Sequence, residues 1–95
     1  MILIQTVFHG DDVRLPLRPA HRELLQGLTD EGILLLGGPF EDASGGALLL
    51  DATRERVQAY LDSDPYMTCS DVEITTFKEW QPMVGSVRDE LAAGA

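Results

Sequence analysis

The sequence predicts an α+β domain of element order β-α-β-β-α-β, with two helices over one face of a four-stranded antiparallel sheet. Three observations predict it. Short apolar or β-branched runs alternate with stretches of helical period in that order. Glycine and proline punctuate the boundaries between them. The chain is 95 residues long, which suits one domain and is too short for two.

Residues 2–8 (Ile-Leu-Ile-Gln-Thr-Val-Phe) are apolar and β-branched and read as the first strand, not as a signal peptide, since no basic start or small-residue cleavage site accompanies them. Residues 9–16 hold His9, Gly10, Asp11, Asp12 and Pro16, the chemistry of a loop. A helix is expected from Pro19 to Glu31: proline suits a first helical turn, Gly32 suits the stop, and Leu24, Leu25 and Leu28 form the buried stripe. Residues 33–37 predict the second strand, ended by Gly38-Pro39, and residues 46–51 the third, with the polar turn Glu41 to Gly45 between them making a hairpin. Thr53 caps an expected helix over residues 54–62 whose inner face is Val57, Tyr60 and Leu61. Asp64-Pro65 opens a further turn. Residues 71–78 predict the fourth strand, with Val72, Ile74 and Thr76 on one face and Glu73, Thr75 and Phe77 on the other. The domain is thus residues 1–80. Residues 81–95, with Pro82, Gly85 and an Ala/Gly-rich end, form a C-terminal extension, either partly helical over 86–91 or disordered. The order is that of the ferredoxin-like folds.

The second and third strands are apolar on both faces: Ile33 and Leu35 against Leu34 and Leu36, then Leu48 and Leu50 against Leu49. Helices cover only one of these faces. An uncovered apolar face marks an interface, so the chain is expected to pair with a second copy of itself, sheet against sheet. A domain this small also gains much from pairing.

A net charge of −9 excludes sequence-independent nucleic-acid binding and attachment to an anionic membrane, both of which need an excess of Lys and Arg. No apolar run approaches the roughly 20 residues of a membrane helix. One cysteine, Cys69, allows no internal disulfide and suits a cytoplasmic location.

His21 falls on the leucine stripe of the first helix. Its spacing fits first a core histidine bonded to a carbonyl, and after that a general acid or base. Asp64 fits an N-cap before Pro65, or a carboxylate that orients His21. Arg18, at the mouth of the same helix, fits a surface charge or the bidentate holder of a substrate carboxylate, reinforced by helix N-terminal N–H groups. Gly38 and Pro39 fit a simple turn, or a place where a ligand approaches the backbone. Trp80 and Phe77 suit core or interface. A metal site from His9, His21, Asp64 and Cys69 has no supporting ligand spacing. No dinucleotide fingerprint is present, so no cofactor is implied.

Together, Arg18-Pro19-Ala20-His21, the Gly32 to Pro39 segment, Gly45-Gly46 and Asp64-Pro65-Tyr66 resemble the YCII-like family. The resemblance covers roughly residues 1–80. It implies a ferredoxin-like domain that forms dimeric α/β barrels, and an active site in which a histidine and an aspartate pair, at the positions of His21 and Asp64. Most members have no assigned activity; a relative in chlorinated-aromatic breakdown is a dehydrochlorinase, and the wider superfamily includes muconolactone isomerases and small monooxygenases. The expectation is a cofactor-independent lyase or isomerase. His21 moves a proton, Asp64 orients it, Arg18 or backbone N–H groups near Gly38 hold an anionic oxygen, and Tyr66 walls the pocket. A non-catalytic ligand-binding or accessory module is the alternative, and a cofactor-free oxygenase a third reading. The sheet-to-sheet closure is also expected to fence the cavity beside His21.

Overall fold

The computed structural model describes the backbone of residues 1–94 and the side chains as far as Leu91. β1 (Ile2–Phe8) leads through a loop and one 3-10 turn (Leu15–Leu17) into α1 (Arg18–Asp30). β2 (Leu34–Pro39) and β3 (Gly45–Leu50) make the hairpin. α2 (Arg54–Ser63) and the one-turn α3 (Pro65–Thr68) cross back to β4 (Val72–Glu79), and α4 (Arg88–Gly94) follows. The sheet order is β2-β3-β1-β4 with every neighbouring pair antiparallel, the ferredoxin-like arrangement that the element order predicts. No helix among the described residues is long and apolar enough to cross a membrane.

Local chemistry sets the boundaries. α1 ends in a Schellman turn: Gly32 takes φ +76°, its N–H reaches the Thr29 carbonyl, and Ile33 N–H reaches the Leu28 carbonyl. The start of α1 differs from the expected open terminus. The 3-10 turn runs straight into it, Leu17 is itself helical, and no side chain caps it. β2 continues through Gly38 and Pro39 instead of stopping before them, which an edge strand tolerates because proline's missing N–H need not face a partner. Thr53 Oγ1 accepts from Arg56 N–H at 3.1 Å at the head of α2. Thr53→Ala is expected to cost about 1 kcal/mol, seen as a melting midpoint lower by about 4–8 °C.

One hydrophobic core lies between the sheet and the helices. Ile2 and Ile4 of β1, Leu48 and Leu50 of β3 and Val72 of β4 meet Leu28 of α1, Val57, Tyr60 and Leu61 of α2, and Tyr66 and Met67 of α3. All three helices therefore cover the same face. β4 departs from simple alternation. A bulge opposite Gln5 and Thr6 shifts its register, so Phe77 pairs with Ile4 and joins the core that Val72 and Ile74 also face. Thr76 instead bonds the Gln5 side chain at 2.8 Å.

The opposite face carries Leu3, Gln5 and Val7 of β1, Ala47 and Leu49 of β3 and Leu36 of β2, as the pairings Leu3 with Leu49 and Leu49 with Leu36 show. Leu49 is buried, but Leu36 is 62% exposed and Val7 37%. β3 is pressed close to its neighbour at its start: a Cβ on Gly45 would lie 1.8 Å from the Thr6 carbonyl oxygen, so only glycine fits.

Candidate active site

A cavity of about 270 Å³ opens between α1 and the helix-covered face of the sheet. Its floor is Ile4, Thr6, Gly46 and Leu48; α1 contributes Arg18, His21, Arg22 and Leu25. Phe8, Arg14, Tyr66 and Met67 close one end, and Gly37, Gly38 and Pro39 border the β2 side. A Cβ on Gly37 would meet Leu48 Cδ2 at 2.7 Å, so the absent side chain keeps this wall open. The cavity is slightly smaller than the usual ligand pocket, and its walls are mainly apolar.

His21 and Asp64, 43 residues apart in sequence, meet there. His21 Nδ1 lies 2.6 Å from Asp64 Oδ2. The same oxygen accepts the Tyr60 hydroxyl at 2.7 Å, and Oδ1 accepts Tyr66 N–H at 3.0 Å as the N-cap of α3. The two expected uses of Asp64, cap and orienting carboxylate, are thus both realised, one on each oxygen. Asp64 is fully buried, and the His21 side chain is 13% exposed.

Burial works to raise the Asp64 carboxyl, but the donors His21 and Tyr60, together with the Tyr66 N–H, outweigh it and hold the group below the usual carboxylate range. The Tyr60 phenol moves the other way: burial first, then the carboxylate beside it, push it far above the usual tyrosine range, so it remains a donor. An ionised carboxylate only accepts, which assigns a proton to His21 Nδ1 and leaves Nε2 for the cavity.

Tyr66 holds the imidazole from its face. The two rings stack with centroids 4.1 Å apart and planes at 18°. Tyr66 is fixed in turn by the edge of Phe8, at 6.1 Å between centroids, and by Arg14, whose Nη1 donates to its hydroxyl at 3.1 Å. Arg14 is buried, lies 4.1 Å over the Phe8 ring, and also donates to Gly10 O and Asp11. The Asp71 carboxylate accepts Val13 and Arg14 N–H, tying this loop to the start of β4.

The six residues expected to act at the site come together here: His21, Arg18, Gly38, Pro39 and Tyr66 line the cavity, and Asp64 lies behind His21. His9 does not join them; it pairs with Glu73 at 2.6 Å, well exposed at the strand end. Among the described residues no group of three His, Cys, Asp or Glu side chains is placed to hold a metal. Tyr60, Arg14 and Arg22 also belong to the site. A signal existed for Tyr60, since a tyrosine on a buried helix face needs a partner for its hydroxyl and Asp64 stands four residues on. Arg14 sits in a loop whose course no periodicity reveals. The cavity lies on the helix side of the sheet, so the open face that carries Leu36 does not fence it, contrary to the expectation from the leucine pattern.

With this geometry in view, the relatives can be placed. The YCII-related domain family matches residues 1–81. The chain belongs to the YCII-related family. Protein YciI of Escherichia coli O6:H1 is 35% identical over 79 residues, which covers 72% of this chain and 81% of that protein, and Protein YciI of Shigella flexneri matches equally. The YCII match contains every residue of the cavity and of the His21–Asp64 pair, and α4 lies beyond it.

Proposed function

We propose that this YCII-related protein is a cofactor-independent enzyme of the lyase or isomerase type that moves a proton on a small molecule. The observation that carries the reading is the 2.6 Å contact from His21 Nδ1 to a fully buried Asp64, with the imidazole lining a cavity. His21 Nε2 takes a proton from an acidic carbon of the substrate. In an elimination the C–H electron pair forms a double bond and expels a leaving group from the adjacent carbon; in an isomerisation the imidazolium returns the proton elsewhere. Asp64 stabilises that imidazolium and fixes the tautomer. Arg18, or backbone N–H groups near Gly38, hold the oxygen on which charge develops. Tyr66, Leu25 and Leu48 exclude water. We further propose that two copies pair through the open sheet face and that the protein works in the cytoplasm.

The test is the titration of His21 by NMR in the wild type and in Asp64→Asn. The expected result is an imidazole whose Nε2 is open to solvent and whose NMR signals respond to the loss of the carboxylate against Nδ1 in Asp64→Asn. A histidine indifferent to Asp64 would overturn proton transfer and favour a ligand-binding module.

A further inference from the structure

Charge is sorted at the cavity in a way that composition conceals. The chain has 7 Lys and Arg against 16 Asp and Glu. Three of those seven, Arg14, Arg18 and Arg22, border the cavity, and no Asp or Glu does among the described residues. In a protein of net charge −9, anions are repelled everywhere except where cations gather, so this wall selects for anions.

The three arginines are not equivalent. Arg14 is committed, with donors placed on Gly10, Asp11 and Tyr66. Arg56 and Arg88, elsewhere, are paired with Glu31 and Asp89, and Arg54 lies over the Phe77 ring. Arg18 and Arg22 make no ion pair among the described residues, and both are exposed at the mouth. They stand one helical turn apart on α1, with His21 between them on the same wall. Arg22 gave no signal in the sequence, because only the packing of α1 shows that it shares a cavity with Arg18.

We infer that Arg18 and Arg22 together bind a small dicarboxylate with an apolar body, one carboxylate to each guanidinium, with the body against Phe8, Leu25, Leu48 and Met67. Guanidinium matches a carboxylate through two parallel N–H bonds. Guanidinium pairs with phosphate as well, but tight phosphate binding gains from a bare helix N-terminus, which α1, continuing from the 3-10 turn, does not present. The inference rests on reading the cavity as a small-molecule site and deepens the anion-holding role given to Arg18 there, while the His21–Asp64 pair is tested separately.

Calorimetry and NMR on the whole protein test it with phthalate and glutarate as dicarboxylates, benzoate as monocarboxylate, phthalamide as neutral analogue and phenyl phosphate as phosphate monoester. The expected result is that a dicarboxylate binds at least about tenfold more tightly than benzoate, that phthalamide does not bind, and that Arg18→Gln and Arg22→Gln each bring the ratio near one. Both side chains are exposed, so the variants should fold. Equal binding of benzoate, stronger binding of phenyl phosphate, binding unchanged in both variants, or no saturable binding by any dicarboxylate would each overturn the inference. If selectivity holds while His21 ignores Asp64, the proton-transfer reading fails alone; if the His21–Asp64 coupling holds and selectivity does not, the dicarboxylate inference fails alone.

Discussion

Asp64→Ala is expected to destabilise the fold by about 3–5 kcal/mol, the cost of removing one member of a buried hydrogen-bonded pair. For a domain of this size that lowers the thermal midpoint by on the order of 20 °C. Three losses add up. The Tyr60 hydroxyl is left buried without an acceptor, His21 Nδ1 loses its partner, and α3 loses its cap. Asp64→Asn should cost less, because its carbonyl oxygen can still cap α3, but its amide nitrogen would then face two donors.

Acid titration of stability separates the charge from the packing. The Asp64 carboxyl titrates lower in the folded protein than in the unfolded chain, so its contribution is present above the usual carboxylate range. That contribution is lost as pH falls through the lower, folded value. The gap between the wild-type and Asp64→Asn stability curves, measured by urea unfolding, should therefore be widest near neutrality and close on acidification. A gap that is constant with pH would show that the ionised form is not what stabilises the fold.

Leu36→Asp is expected to abolish pairing through the open sheet face, raising the dissociation constant at least about 100-fold. Leu36 is 62% exposed in the single chain, so an aspartate there is solvated and should leave the monomer folded. In a paired form the same aspartate would enter an apolar interface without a partner. Sedimentation equilibrium of wild type and variant reads the effect; a wild type that stays monomeric at high concentration, or a variant that associates as before, would sink the pairing. Leu49→Asp is the less clean probe, because Leu49 is 6% exposed within one chain and the charge would disturb the fold itself. Since the cavity lies on the opposite side of the sheet, Leu36→Asp should leave the His21 titration unchanged.

The elements themselves were legible because each is set by neighbours in sequence. The Leu24, Leu25, Leu28 stripe, the Gly32 stop, the Thr53 cap and the apolar runs act over a few residues, and the four strands, α1 and α2 begin and end within about two residues of expectation, whereas the 3-10 turn and α3 fall in segments read as loop and turn. Where a long-range contact intervened, the reading slipped. Strict alternation puts Phe77 on the wrong face, because a bulge is a property of two strands and only the pairing of β4 with Gln5 and Thr6 creates it.

The sequence by itself determined the order of elements, the side of α1 that turns inward and the residue types able to do proton chemistry, since periodicity and side-chain chemistry are local. Only the tertiary structure decided that Asp64 reaches His21 with Tyr60 on the same oxygen, that Arg14 grips the tyrosine stacked on that histidine, and that Arg22 shares a cavity with Arg18. Those contacts join elements brought together by burying one core, and no local spacing encodes the angle at which α1 crosses the sheet. The same angle puts the cavity on the helix side and leaves Leu36 on the other, so the cavity and the open apolar face, which the leucines alone suggested were one feature, lie on opposite faces of one sheet.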